Sequence, residues 1–150
     1  MILNTLKALT ITSALLVSSF SVVATPAQGI QPTAIAQNTQ QVLASGTFVT
    51  VEQEKPTRGT ARIVSENGKR YLEFDGAFTT AQGPDVQVVL HRSNQQSAKL
   101  KEGDYVVIAT LKNFDGAQRY ELPSNLKVED FKSVGIWCRQ FNVTFGYASL

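Results

Sequence analysis

The end of the chain, residues 134–150, has the sequence VGIWCRQFNVTFGYASL and decides how the whole chain is best interpreted. This stretch holds the only Cys and the only Trp of the protein, together with a dense run of aromatic residues. From Phe141 to Tyr147 every second residue is aromatic or β-branched, and the residues between them are small or polar. A period of two is typical of a β-strand. The stretch therefore predicts two strands that meet near Arg139-Gln140.

Two turn signals upstream favour the same β-rich interpretation. Asn67-Gly68 lies between the alternating runs 59–65 and 69–74. Asn-Gly is the strongest short-range hairpin signal, because both central residues of a type I′ turn need a positive φ. Asp115-Gly116 predicts a second hairpin that would pair the strands on either side of it.

The complete pattern predicts an all-β fold. Val86 to His91 is mostly apolar and is expected to be a central strand, with His91 facing water at its end. One helical turn is expected near Val128. The chain has no long amphipathic helix, and turn signals separate about eight short strands. These features predict an antiparallel β-sandwich or a small barrel of about eight short strands.

The first part of the chain has the composition of a targeting segment. Residues 1–36 carry a single charge, Lys7, and residues 8–24 form an uncharged and largely apolar run. This pattern is typical of a secretory signal peptide, and both Val22-Val23-Ala24 and Ala34-Ile35-Ala36 fit a small-x-small cleavage site. A membrane anchor is the rival interpretation, but a spanning helix needs about 20 strongly apolar residues. We favour cleavage after Ala36.

This interpretation divides the chain into three parts: a signal peptide over 1–36, a flexible linker over 37–45 and a β domain over 46–150. The mature protein is expected to be exported, either to a periplasm or outside the cell, and not to span a membrane. Removing Lys7 from the 14 basic residues leaves 13 against 12 acidic ones. A net charge this close to zero gives no reason to expect a nucleic-acid partner.

Counting ligands argues against a metal centre. Residues 37–150 contain one His, one Cys and no Met. A blue-copper site needs two His and one Cys, and a structural zinc site needs four Cys or His ligands. The carboxylates also lack the spacing of an EF-hand. A nucleophilic pair of Cys138 and His91 is formally possible, but nothing in the spacing brings the two together, so a hydrolase is not predicted.

Cys138 has three interpretations from the residues alone. It is a small buried hydrophobe, which is the usual role of a free Cys. Alternatively, it is a reactive thiol that Arg139 activates, provided that the strand bends between these two neighbours. In the third interpretation it is the axial thiolate ligand of a haem, in a pocket lined by Trp137, Phe141 or Phe145.

Three segments give the chain a family resemblance. They are Gly83-Pro84-Asp85 before an apolar strand, the run GAQRYELP at 116–123, and the closing stretch with Trp137-Cys138 and its Phe-Gly-x-Ala-x-Leu ending. On these residues the chain from about Gly46 to Leu150 resembles the DM13 domain, a small extracytoplasmic β-rich domain. The resemblance implies a role in electron transfer or redox modification, with Cys138 as a bare thiol or as a ligand to a group such as haem.

Two functions remain open at this point. The leading hypothesis is an exported redox domain whose working atom is the sulfur of Cys138, acting with a redox partner or an envelope protein. The alternative is a non-catalytic extracytoplasmic binding or interaction module. In that alternative Cys138 is structural, and the Gly83-Pro84-Asp85 loop shapes a surface for a ligand or partner.

The predicted signal peptide can be tested by mass spectrometry. Intact-mass analysis of the protein recovered after export should give a mature chain that begins near Gln37, because a signal peptidase cleaves after small residues such as Ala36. A recovered protein that still begins at Met1 would contradict cleavage and favour the membrane anchor.

Overall fold

A computed structural model describes residues 39–150, which form one antiparallel sheet of eight strands. The strands are β1 Gln41–Thr50, β2 Thr60–Glu66, β3 Lys69–Phe74, β4 Val86–His91, β5 Tyr105–Thr110, β6 Gln118–Glu121, β7 Ser133–Cys138 and β8 Val143–Ser149. Their order in the sheet is β5-β4-β7-β8-β1-β2-β3-β6. The all-β prediction is confirmed, and the helical turn expected near Val128 is the 3-10 helix Val128–Asp130. The predicted signal peptide lies outside the described residues.

The sheet curls into a nearly closed barrel around one apolar core. Because successive residues of a strand point to opposite faces, every strand sends alternate side chains inward. Core residues from the different strands include Phe48, Ile63, Leu72, Val88, Tyr120, Ile136 and Phe145. Burying each large apolar side chain contributes about 1.5–3 kcal/mol, so the shared core is what holds the strands together.

A smaller apolar cluster lies on the outer face of the barrel wall. It consists of Val89, Leu100 and Trp137, with Tyr105 packed against it. Leu100 belongs to segment 92–104, between β4 and β5, which folds back over β4 and β7. These two strands are therefore covered on both faces, and all their residues are buried.

Two predicted turns are confirmed. The chain reverses between Cys138 and Val143, and β7 pairs with β8 along its whole length. At the other hairpin β2 pairs with β3, and the turn residues Asn67 and Gly68 have φ values of 51° and 75°. Both central residues thus adopt the positive φ that a type I′ turn needs.

The predicted aromatic face of β8 is interrupted by a bulge. The register of β7 and β8 shifts between Ile136 and Trp137, so that Phe145 is an extra residue in β8. A bulge breaks the alternation of side chains along the strand. Phe145 and Ala148 therefore both lie in the core, whereas Tyr147 does not. The prediction that one face carries every aromatic residue from 141 to 147 is wrong for this reason.

The hairpin predicted at Asp115-Gly116 is also wrong. Gly116 does adopt a positive φ of 79°, but the strands on either side of this turn pair with other partners. β5 pairs with β4 and β6 pairs with β3, which places them at the two edges of the sheet. Asp115 instead forms a bridge with Thr79. The residue types correctly predict the turn, but burial and not turn chemistry decides which strands pair.

The linker predicted over 37–45 is wrong from Gln41 onward. β1 begins at Gln41, and residues 41–47 pair with β2 from Ser65 to Thr60. This stretch lacks the alternation of a strand with one buried face, and most of its side chains are exposed. Its order comes from the backbone hydrogen bonds that β2 provides, which composition does not reveal.

His91 is buried and does not face water. Its exposed fraction is 8%, and its Nδ1 accepts a hydrogen bond of 3.0 Å from the backbone N–H of Ser93. The prediction failed because segment 92–104 turns back at this point. The central position predicted for β4 is confirmed, since it lies between β5 and β7.

The Asn67-Gly68 turn generates a stability prediction with a matched control. A Cβ at Gly68 would meet no atom within 4 Å, so Gly68→Val should destabilise the domain through its positive φ alone, by about 1–2 kcal/mol. Gly76 has equally open surroundings and no positive φ. Gly76→Val should therefore change the free energy of unfolding by less than about 0.5 kcal/mol. Equal effects of the two substitutions in urea denaturation would show that the turn conformation is not required.

Candidate functional site

Cys138 lies inside the barrel, at one end. It is the last residue of β7 and pairs with Val86 of β4 on one side and with Val143 of β8 on the other. Its exposed fraction is 1%, and it belongs to the central core cluster. The thiol therefore sits where the core ends and the loops that cover this end of the barrel begin.

An apolar cavity of about 270 Å³ opens above Cys138. Its walls come from the loop before β4, the β7–β8 turn, the start of β8 and the loop after β1. The lining residues are Glu52, Glu54, Lys55, Gln82, Gly83, Pro84, Cys138, Phe141, Val143 and Phe145. The fold thus brings Gly83 and Pro84 of the first family motif into one cavity with Cys138 of the last.

The wall beside Cys138 requires a glycine at position 83. A Cβ on Gly83 would lie 2.9 Å from Cγ2 of Val86 and 3.1 Å from Cζ of Phe145. Separations this short force one of the neighbours to move. The absence of a side chain at Gly83 is what lets its loop pack against the Phe145 ring.

Arg139 is paired with Asp85 and not with the thiol. The guanidinium Nε donates to Oδ2 of Asp85 at 2.8 Å and Nη2 donates to Oδ1 at 3.3 Å, while the backbone N–H of Arg139 donates to the Asp85 carbonyl at 2.9 Å. Gln87 Nε2 also donates to Asp85 Oδ1, at 2.6 Å. Because the Arg139 side chain is 59% exposed, this ion pair stabilises the fold by no more than about 1 kcal/mol. Asp85 therefore fastens the loop before β4 to the turn after Cys138.

Trp137 faces away from Cys138. Its ring lies on the outer face of the barrel, 5.0 Å from the ring of Tyr105, and its Nε1 donates to Oδ1 of Asn142 at 2.9 Å. The backbone N–H of Leu100 donates to the same Oδ1 atom, also at 2.9 Å. Trp137 thus fixes segment 92–104 and the β7–β8 turn, and it does not line the cavity. A pocket shared by Trp137 and Cys138, as considered from the sequence, does not form.

The site does not fit a haem. Its cavity of about 270 Å³ is smaller than the roughly 300–1,000 Å³ of typical ligand pockets. Cys138 is packed among core side chains and has an exposed fraction of only 1%. His91 pairs with Ser133 at the other end of β7, roughly 17 Å from Cys138 at about 3.4 Å per residue. His91 is therefore neither a second ligand nor a base for the thiol.

Phe141 and the loop after β1 form the rim of the cavity. Phe141 lines the cavity as the haem interpretation suggested, yet its exposed fraction is 62%. On the opposite side Lys55 Nζ lies 5.7 Å from the centroid of the Phe145 ring. Glu52 and Glu54 stand beside it. No local sequence pattern shows that this loop reaches across the barrel end.

Comparison with known proteins identifies the family. The family model described as Electron transfer DM13 matches residues 47–150. No curated protein and no solved structure matches the chain. Within the described part of the chain, no helix has the length and apolar character needed to cross a bilayer.

The tight contact at Gly83 generates a prediction about the cavity wall. Gly83→Ala should lower the free energy of unfolding by about 1–3 kcal/mol, because Val86 or Phe145 must shift to admit the methyl group. Gly76→Ala is the matched control, since its Cβ would enter open space, and it should leave stability unchanged or slightly raised. Chemical denaturation of both variants measures the difference. If Gly83→Ala were as stable as Gly76→Ala, the wall would not depend on this glycine.

Proposed function

Since the chain belongs to the DM13 family, we propose that it is an extracytoplasmic redox domain in which the sulfur of Cys138 is the reacting atom. The observation that carries this proposal is the apolar cavity above Cys138, which Gly83 and Pro84 help to enclose. Cys138 lines this cavity although its exposed fraction is only 1%. Two residues of the first family motif, Gly83 and Pro84, thus lie in one cavity with the residue that carries the one thiol of the chain.

A single thiol restricts the chemistry. The chain has one Cys, so it cannot cycle between an internal dithiol and a disulfide. A cavity of about 270 Å³ admits a small molecule but not the disulfide of a folded partner. We therefore assign the oxidising step to a small peroxide and the reducing step to a small-molecule thiol that enters the same cavity.

The proposed cycle balances in three steps. The Cys138 thiolate attacks one peroxide oxygen, the O–O bond breaks, and the other oxygen leaves with a proton as an alcohol or water. Two electrons pass from the sulfur to the peroxide, and Cys138 becomes a sulfenic acid. A small-molecule thiol then forms a mixed disulfide with Cys138 and releases water. A second molecule of that thiol attacks the outer sulfur of the mixed disulfide, restores the Cys138 thiol and leaves as the disulfide of the two small thiols.

The alternative function is a binding module with a structural cysteine. The observation that favours it is the 1% exposed fraction of Cys138, because inert structural cysteines are typically buried. In this case the Gly83-Pro84-Asp85 loop and the exposed Phe141 would form a surface for an envelope protein, and Cys138 would contribute only packing.

The two functions predict different reactivity of the native thiol. A redox Cys138 should be alkylated by a small neutral reagent in the folded protein. After treatment with hydrogen peroxide, it should also yield a sulfenic-acid adduct with dimedone. Phe141→Ala should raise the alkylation rate severalfold, because it removes the ring at the rim of the cavity. Mass spectrometry of the intact protein measures both reactions, and Cys138→Ser gives the background.

A structural Cys138 should resist both reagents until the protein is unfolded and should then react fully. That outcome would rule out the redox function and leave the binding module. In the same case Cys138→Ala should lower stability by about 1 kcal/mol and leave partner binding unchanged.

A further inference from the structure

We propose that the oxidant of Cys138 is a neutral organic hydroperoxide with a small apolar body, which the cavity above the thiol binds in preference to hydrogen peroxide. The reaction of this oxidant rests on the proposed redox function, because the sulfur of Cys138 must be the reacting atom. The binding of its apolar body depends only on the walls of the cavity. The walls and the thiol can therefore be tested separately.

The floor of the cavity is apolar around the thiol. Two of the lining residues are buried, Cys138 with an exposed fraction of 1% and Phe145 with 3%. Val143, which pairs with Cys138, is half-buried, while Pro84 and Phe141 carry the apolar surface out to the mouth. A molecule that enters the cavity thus leaves water and meets apolar atoms close to the sulfur.

The backbone groups of the floor already have hydrogen-bond partners. The carbonyl oxygen of Phe145 accepts from the backbone N–H groups of Val51 and Glu52, at 2.8 Å and 3.2 Å. Cys138 lies between β4 and β8 and pairs with both strands. Moving an O–H group from water into such surroundings costs free energy unless a new hydrogen bond replaces the lost one. Hydrogen peroxide brings two O–H groups, whereas an organic hydroperoxide brings one, together with an apolar body whose burial is favourable.

The volume of the cavity suits one small apolar group. An apolar cavity of about 150 Å³ in a protein core is large enough to bind benzene. The cavity above Cys138 has about 270 Å³. It can therefore hold an aryl or a branched alkyl group together with the hydroperoxide that this group carries.

The charges at the mouth favour a neutral molecule. Glu52, Glu54 and Lys55 line the cavity without being buried, and within residues 39–150 none of the three forms an ion pair. Lys55 Nζ lies 5.7 Å from the centroid of the Phe145 ring. Two carboxylates and one ammonium leave one net negative charge, which repels an anionic molecule. Because these groups are in contact with water, the repulsion is modest.

The oxidation balances with such a substrate. The sulfur of Cys138 bonds to the terminal oxygen of the hydroperoxide, and the O–O bond breaks. The other oxygen stays on the apolar body and takes the proton of the thiol, so that an alcohol leaves. Two electrons pass from the sulfur to the peroxide, and Cys138 becomes a sulfenic acid. The alcohol keeps the apolar body and cannot oxidise the thiol, so it reports binding alone.

Binding is tested with cumyl alcohol, the alcohol that cumene hydroperoxide leaves. In an amide NMR titration of the protein, cumyl alcohol should shift the signals of the cavity lining in a saturable way. The matched anion is α,α-dimethylphenylacetate, which has a carboxylate on the same skeleton and should bind severalfold more weakly. Combining Glu52→Gln with Glu54→Gln should bring the two dissociation constants closer together and leave that of cumyl alcohol unchanged.

Selectivity is tested with the rates at which peroxides oxidise Cys138, measured by intact-mass analysis with dimedone. The rate with cumene hydroperoxide, divided by the rate with hydrogen peroxide, should exceed the same quotient for N-acetylcysteine by about tenfold or more, because even one methylene in a fitting apolar pocket changes specificity by about this factor. Phe141→Ala should lower the quotient severalfold, since it removes apolar surface at the mouth. Val107→Ala is the matched control, because Val107 is 39% exposed on β5 and does not line the cavity.

The possible failures are distinguishable. A Cys138 that is oxidised with the same quotient as N-acetylcysteine would reject the organic hydroperoxide and leave the redox function standing. A cavity lining that cumyl alcohol does not shift would reject it as well. Tighter binding of the anion than of the alcohol, abolished by Lys55→Gln, would overturn the choice of a neutral molecule. Binding of cumyl alcohol beside a thiol that resists every peroxide would overturn the redox function and, with it, the oxidant assigned here.

Discussion

The burial of β7 on both faces is the constraint on which the rest of the structure depends. Every residue from Ser133 to Cys138 is buried, by the barrel core on one face and by segment 92–104 on the other. Segment 92–104 is held against the outer face of β7 by defined hydrogen bonds. Ser133 Oγ donates to the Ser93 carbonyl at 2.6 Å and accepts from Gln96 Nε2 at 3.0 Å. A Cβ at Gly135 would lie 2.2 Å from Gln96 Oε1, so the Gln96 side chain takes the space that a larger residue there would fill. A strand covered in this way cannot slip in register without moving a whole set of side chains to the wrong face.

From this constraint follows the separation of Trp137 and Cys138. Neighbours on a strand point to opposite faces, so the register that buries Trp137 under segment 92–104 directs Cys138 into the barrel. Access to the thiol is then decided by the turn after it, and not by the strand. Asn142, at a φ of 49°, closes this turn while its side chain holds Trp137 and Leu100. Arg139 ties the turn to Asp85. The four-residue turn 139–142 therefore contacts the outer cluster through Asn142 and forms part of the cavity rim through Phe141.

Sequence reasoning succeeded where a local interaction decides the structure. Asn67-Gly68 specifies its own backbone conformation, and the alternation in residues 69–74 agrees with it, so the β2–β3 hairpin was predictable. Asp115-Gly116 specifies a turn equally well, but β5 and β6 beside it pair with β4 and β3 and not with each other, and no local pattern encodes that choice. Likewise, the site was predictable as far as Gly83, Pro84 and Cys138, through family resemblance. The contributions of Glu52 and Lys55 were not, because they depend on the loop after β1, which crosses the end of the barrel.

The packing around Cys138 explains how one position can support both interpretations of its role. Protein interiors are close-packed, so a residue in the middle of β7 has no room for added atoms. Cys138 stands at the end of the strand, where β4 and β8 hold its backbone on both sides while the residue lines the cavity. An oxidised sulfur needs space for at least one oxygen atom, and the core itself offers none. Because Gly83 has no side chain, it packs closely beside Phe145 and Val86 without filling the cavity. The cavity beside Cys138 is thus the observation on which the proposed redox function rests, whereas the burial of the thiol is the observation that favours the packing role.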